Sequence, residues 1–355
     1  MKIEQIETTL LEMPYKKPLI TATNKFTVAR GALVKARTDN GIEGYGYADL
    51  FPRTGETPET ARHVIESVLK PKITGRELEE LARIRADIDH MLIGNPRAKA
   101  ALEIALYDAL AKSAHVPLYL MLGGRYRSDI KVIKMVSVDD PEAMADEAKT
   151  LARSGLALKL KMSGKIDLDL LRVAKVREAV GSAVFIKVDA NEAYDAKAAI
   201  RLAKGLADHG VEIFEQPVPR YHLEALWEVK KHSPVKIEAD QSVRTVEDAY
   251  TVIKNRMVDA INTGIQKAGS IQEVRKIAEL CEMHGIGCAM SNTAGSMIGD
   301  AAAVHLAAST SGIAPLAELG EFEMVTGDPF VGLKITRGSI RIPEGEGLGV
   351  KPQGA

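Results

Sequence analysis

Hydrophobic and polar positions change rhythm twice along the chain. Up to about residue 50 they alternate. Ala32-Leu33-Val34-Lys35-Ala36-Arg37 reads as a strand, Asp39-Asn40-Gly41 as a turn and Gly44-Tyr45-Gly46-Tyr47 as a second, glycine-rich strand. Over residues 60–121 apolar side chains recur at three- and four-residue intervals, most clearly at 98–110, which predicts buried helix. Gly123-Gly124 interrupts that pattern, and beyond Ile130 short apolar runs alternate with amphipathic stretches. Strands are expected at 131–138, 156–161, 184–191, 213–217, 236–240, 260–267, 285–291 and 314–319. Helices fill the gaps, for example 141–152, 196–208 and 270–283. Eight consecutive units fit a closed barrel better than an open doubly wound sheet. The expected fold class is α/β: an α+β capping domain over residues 1–128, a (β/α)8-type barrel over 129–320, and a C-terminal segment, 321–355, packed back on the capping domain.

Length agrees with this division, since 355 residues accommodate a barrel of about 250 plus an appended domain. The net charge of −1 and the dispersed basic residues argue against nucleic acid or an anionic membrane as partner. No apolar run reaches the roughly 18 residues of a membrane span, and the alternating Met1–Glu7 stretch is unlike a signal peptide. Cys281 and Cys288 are too few for a disulfide framework and read as packing residues. A cytoplasmic protein acting on small molecules, or pairing with its own copies, is expected.

Barrels of this kind gather catalytic groups at the C-terminal ends of their strands. Here strand two ends in Lys159-Leu160-Lys161, strand three in Asp189-Ala190-Asn191, strand four in Glu215-Gln216-Pro217, strand five in Asp240 and strand six in Lys267. Any one of these charges has a dull explanation, a solvated strand edge or a helix cap. Five in this order, each about one β/α unit after the last, do not. Three carboxylates on adjacent strands repel unless a cation lies between them, and hard oxygen ligands suit Mg²⁺, with Mn²⁺ as an alternative. Lysines on either side of that centre suit proton abstraction next to a carboxylate, where developing negative charge must be stabilised. Lys159 and Lys161 share a strand face, and two close ammonium groups beside a dication favour a neutral amine able to act as a base. Lys187 and Glu238 fall one layer below Asp189 and Asp240, where an ion pair is expected. His284 suits a helix C-terminus, and Trp227 is expected to pack its helix against the barrel.

This series resembles the enolase superfamily, specifically its muconate lactonizing enzyme subgroup. Ala100-Ala101-Leu102-Glu103 through Asp108, Pro117-Leu118 and Leu122-Gly123-Gly124 resemble the end of that family's capping domain, and residues 345–350 its C-terminal turn. The resemblance implies a modified, TIM-like barrel in which Asp189, Glu215 and Asp240 bind Mg²⁺. It makes Lys161 and Lys267 the paired acid/base catalysts, and has Lys159 hold the substrate carboxylate and tune Lys161. It also implies two substrate-covering loops, at 14–26 and 51–57, and a homo-oligomer. Thr21, Thr23, Tyr47, Phe51, Asn191, Asn292 and Glu318 are the candidate substrate contacts.

Several positions depart from the subgroup's pattern. Gln241 stands where many relatives carry glutamate, Gly264 where many carry lysine, and Tyr47 where a glutamate is common. Leu316-Ala317-Glu318-Leu319-Gly320 lacks the aspartate-x-aspartate of dipeptide epimerases and is closer to the cycloisomerase pattern, yet Ser291-Asn292-Thr293 is unlike that of cycloisomerases. The leading expectation is a racemase or epimerase of an amino acid, N-acyl amino acid or dipeptide-like carboxylate. Muconate-type cycloisomerisation and syn-dehydration share the same machinery, and a non-catalytic binding protein with a relict site is the remaining class.

Overall fold

The computed structural model describes residues 1–22, 24–50, 54–293 and 295–354. A meander of three antiparallel strands opens the chain: β1 (Ile3–Ile20), β2 (Lys25–Thr38) and β3 (Glu43–Asp49). β1 alternates buried and exposed residues along much of its length, as a sheet with one covered face requires. Helices follow, of which Pro96–Ser113 is the longest and is buried on nearly all sides. It lies directly on the sheet, because Gly44 and Gly46 of β3 remove the side chains that would separate them. A Cβ at Gly46 would fall 1.9 Å from the carbonyl oxygen of Ala101.

Eight parallel strands then form the barrel: β4 (Asp129–Val136), β5 (Ala157–Lys161), β6 (Ile186–Asp189), β7 (Ile213–Glu215), β8 (Lys236–Ala239), β9 (Ala260–Thr263), β10 (Gly287–Met290) and β11 (Leu316–Ala317). Each of β4 to β10 pairs with the next, and β11 pairs with β4. The ring closes where Ser291 bridges Glu318 in parallel. The helices at Pro141–Arg153, Ala196–Asp208 and Ile271–His284 match expectation to within a residue or two.

Three expectations need correction. Strand β9 stops at Thr263, and Lys267 sits on a helical turn, Ile265–Ala268, rather than on the strand end. Residues 14–26 are largely strand rather than loop, since β1 runs to Ile20 and β2 begins at Lys25, with a register break between Pro14 and Leu19. Trp227 is 41% exposed on its helix with the Lys231 ammonium over its ring, so it does not pack on the barrel. The C-terminal stretch contacts both halves: Ser339–Arg341 pairs with β4, while Leu118 donates to the Gly347 carbonyl and Leu348 to Asp108. No described helix is long and apolar enough to cross a membrane.

Glu103 joins the Pro96–Ser113 helix to the barrel by accepting from the backbone N–H of Ile271, 2.6 Å away, at the start of the Ile271–His284 helix. Burial pushes its carboxyl up to about 7, against the hydrogen bond and Arg85, which favour the ion.

Two outcomes follow from this packing. Gly46→Ala should lower stability by about 3 kcal/mol in thermal or urea unfolding, because the helix must move off the sheet; a change below about 1 kcal/mol would show that the contact yields. Between its ordinary 4.5 and about 7, Glu103 keeps a proton in the folded chain that the unfolded chain has released. Wild-type stability should therefore fall relative to Glu103→Gln as pH rises across that window, read as the difference in Tm at each pH.

Candidate active site at the barrel mouth

A cavity of about 250 Å³ opens at the C-terminal ends of the strands, between the barrel and the capping domain. Lys159, Lys161, Asp189, Asn191, Glu215, Asp240, Lys267, Asn292, Glu318 and Thr21 all line it. The barrel's register explains the convergence. Lys161 pairs with Asp189, Asp189 with Glu215 and Glu215 with Glu238, so one layer of the parallel sheet carries four consecutive charges. Lys159 and Lys187 pair in the layer below.

These charges answer one another. The Lys159 ammonium lies 3.0 Å from Asp189, 2.8 Å from Glu215 and 2.6 Å from Glu318. Lys187, 1% exposed, reaches Glu215 at 2.7 Å and also pairs with Glu238 and Glu318, which is the expected buried ion pair extended to a network. Lys161 donates to Asp189, and Lys267 to Asp240 at 2.6 Å and to the carbonyl of Asn262 at 2.6 Å. Asn191 donates to Asp189 from both its backbone and side chain. Gln216 holds the next loop, accepting from the backbone N–H groups of Asp240 and Ser242.

The network sets the protonation states. Burial alone would push Lys159 down, but Asp189, Glu215, Glu318 and Asp240 hold its ammonium well above the ordinary value. Without a dication beside the pair, the surrounding carboxylates outweigh the charge of Lys161 at Lys159. Burial, with Asp189 and Glu318 nearby, pushes Glu215 up to about 8. Glu318 goes the other way, to about 2: burial opposes the shift, and Lys159 and Lys187 outweigh it.

Some expected contacts lie elsewhere. Tyr47 does not line the cavity; it is 2% exposed, with its ring against Gly31 and Gly295. Thr23 and Phe51 lie outside the described residues. Glu318 lines the cavity, but its oxygens are taken by Lys159, Lys187 and Asn262. Gly264 is required by a close approach: a Cβ there would fall 2.4 Å from the carbonyl oxygen of Ser291, so no lysine fits in its place. The cavity also takes in Arg97, Arg220, Arg244, Gln241, Asn262 and Glu321, of which Gln241 is the one singled out in the sequence. The order of charges along the chain gives no signal for the rest.

Family models match both halves: an enolase C-terminal domain-like model over residues 143–355, and the N-terminal domain model of the mandelate racemase / muconate lactonizing enzyme family over 5–123. The chain belongs to the enolase superfamily. Within it, this chain is similar to the L-Ala-D/L-Glu epimerase of Bacillus subtilis, 36% identical over 99% of the chain and 97% of that protein. Its substrate-liganded structure superposes with a TM-score of 0.94, covering 99% of each chain. Muconate cycloisomerase 1 of Rhodococcus opacus is 32% identical over 99% of the chain and 96% of that protein. The dipeptide epimerase of Enterococcus faecalis, solved with Mg and the dipeptide L-Leu-L-Tyr, is 33% identical with a TM-score of 0.94, covering 99% of this chain and 100% of that one. The protein is thus an enolase-superfamily isomerase.

Two carboxylate groupings come into question for a divalent cation in this enolase-superfamily chain. Glu215, Glu238 and Glu318 bring one oxygen each within 4.8 Å of the others, a spacing consistent with such an ion. Lys187 already pairs with all three, however, and neither Lys187 nor Glu238 lines the cavity. That triad reads better as the site's charged floor.

Lys187→Met should cost about 3–5 kcal/mol in urea unfolding, since it strands buried carboxylates. Adding Glu238→Leu should recover part of the loss. A single-variant change within about 1 kcal/mol would show that the floor does not depend on Lys187.

Proposed function

We propose that this protein is an Mg²⁺-dependent racemase or epimerase that removes and returns the α-proton of a carboxylate substrate, an amino acid, N-acyl amino acid or dipeptide. One observation carries the reading. Lys161 belongs to the second barrel strand and Lys267 follows the sixth, half a turn apart in a ring of eight, while Asp189 and Glu215 end two of the three strands between them and Asp240 directly follows the third. All five side chains line one cavity.

The donor set fits a hard divalent cation. Asp189, Glu215 and Asp240 offer carboxylate oxygens only, as Mg²⁺ prefers. The buried network sets four carboxyl groups, Asp189, Glu215, Glu238 and Glu318, against Lys159, Lys161 and Lys187, and Glu215, pushed up to about 8, keeps a proton that a dication would displace. Among the described residues, Oδ1 of Asn191 and Oε1 of Gln241 are buried cavity oxygens that accept no hydrogen bond. Mg²⁺ held by the three carboxylates supplies positive charge against the negative charge that develops on the substrate carboxylate, as is general for enolase-superfamily sites.

The rest falls to the chain's own groups. Lys159, on the floor between Asp189 and Glu215, holds a substrate carboxylate by its ammonium and orients the α-carbon toward Lys161. Lys161 takes the proton from one face, and Lys267 delivers one to the other; the reverse direction exchanges their roles. The Asp240 and Asn262 oxygens hold the Lys267 ammonium in place. Leu19, Phe26, Ile133 and Met135 supply an apolar wall that limits water at the reacting carbon. The epimerases of B. subtilis and E. faecalis support the choice of reaction.

A second reading, cycloisomerisation, is favoured by the R. opacus relative and by Glu318 at the end of the eighth strand. NMR of chiral carboxylates in D₂O with Mg²⁺ separates the two. Deuterium should enter at Cα with the carbon skeleton intact, and Lys161→Ala or Lys267→Ala should each slow interconversion of the two stereoisomers by about 10²–10⁴-fold. Turnover of muconate-like diacids or lactones without exchange in any amino acid derivative would overturn the racemase reading in favour of the cycloisomerase.

A further inference from the structure

Six cationic side chains line the cavity among the described residues, and five of them have an acidic partner. Lys159, Lys161 and Lys267 pair with the strand-end carboxylates. Arg220 is held by Glu192, which accepts from its Nε at 2.9 Å and from its Nη2 as well. Arg97 lies 3.6 Å from Asp49. The sixth is Arg244, four residues beyond Asp240 on the loop after β8. Its backbone N–H donates to Asp248, but among the described residues its guanidinium has no hydrogen-bond or ion-pair partner.

Its setting makes this costly. Arg244 is half-buried, and burial together with Arg220 and Arg97 holds its guanidinium below the ordinary value, against the opposing pull of Tyr221 and Asp240. Arg220 and Arg244 follow β7 and β8, and Arg97, at the start of the Pro96–Ser113 helix, lines the same cavity; of the three, Arg220 and Arg97 have acidic partners in the chain itself. A half-buried guanidinium gathered with like charges calls for an anion, and its planar fork suits a carboxylate. The opposite side of the ring, at β4, presents Ile133 and Met135, so the polarity of the cavity is directional.

We propose that Arg244 is a specificity-determining residue that binds a second, remote carboxylate of the substrate, so that the enzyme acts on α-carboxylates bearing an acidic tail. This rests on the α-proton reading for the reactive end and adds the identity of the far end. The tail lies toward β8, where Arg244 closes over it, while the reactive carboxylate stays on the floor by Lys159. Arg220 and Arg97, committed to Glu192 and Asp49, shape the subsite without supplying its free charge.

The test uses ligands that cannot react. N-malonyl-, N-succinyl- and N-glutaryl-2-aminoisobutyrate have no α-proton, and each is compared with a neutral-tailed acyl derivative of the same length. Calorimetric titration of the Mg²⁺-loaded enzyme should show at least one acidic-tailed ligand binding about tenfold or more tightly than its neutral counterpart. Arg244→Met should bring the pair to near parity, and Arg244→Lys should keep part of the preference. Equal affinities in the wild type, no binding of either ligand, or a preference that survives in Arg244→Met would each overturn the proposal. Because no turnover is involved, these results stand apart from the deuterium-exchange experiment, whose failure would instead remove the α-proton reading.

Discussion

Buried charge must be answered by opposite charge, and the mouth of this barrel is organised around that requirement. Lys187 is 1% exposed and meets Glu215, Glu238 and Glu318, which come from three other strands. An ammonium in that position is tolerable only with its partners in place, and the carboxylates are tolerable only with it. The network therefore links β6, β7, β8 and the end of β11 across the barrel interior, where hydrogen bonds between neighbouring strands do not reach. It gives the site above it a floor whose groups have little freedom to move.

Glu215 belongs to both levels. It pairs downward with Lys187 and sideways with Lys159, and it also lines the cavity. Its raised affinity for a proton reflects crowding by Asp189 and Glu318 on top of burial. In the proposed function this crowding of carboxyl groups is what a divalent cation would relieve. Were Asp189 and Glu215, which Lys159 now meets, to hold a cation, the lysine's donors would be left to a substrate carboxylate. Binding of metal and binding of substrate are on this account coupled through one lysine.

Much of this is legible in the chain. Alternation followed by repeated β/α units specifies the barrel, and the parity of residues along a strand is enough to place Lys187 below Asp189 and Glu238 below Asp240. What escapes a reading of the sequence depends on contacts between distant segments. Lys267 lies on a helical turn that begins just after Gly264 passes against the Ser291 carbonyl, a meeting of two strand ends that no local pattern encodes. Tyr47 looks available for a ligand, yet space left by Gly31 and Gly295 lets its ring sink out of reach. Arg220 and Arg244 look alike in sequence. They differ in that Glu192, from the loop after β6, binds Arg220, whereas no such partner meets the Arg244 guanidinium among the described residues.

That difference separates the determinants of chemistry from those of specificity. The floor charges are so fully committed to one another that none can be exchanged without stranding a partner, so variation there is costly. The rim is under no such constraint: Arg244 sits on a loop, pairs with nothing among the described residues, and can be replaced without orphaning a buried group. Loops on a rigid barrel are where discrimination between substrates is easiest to alter. On the proposed reading, the rim of this protein, rather than its overall likeness to an epimerase or a cycloisomerase, holds the information about its substrate.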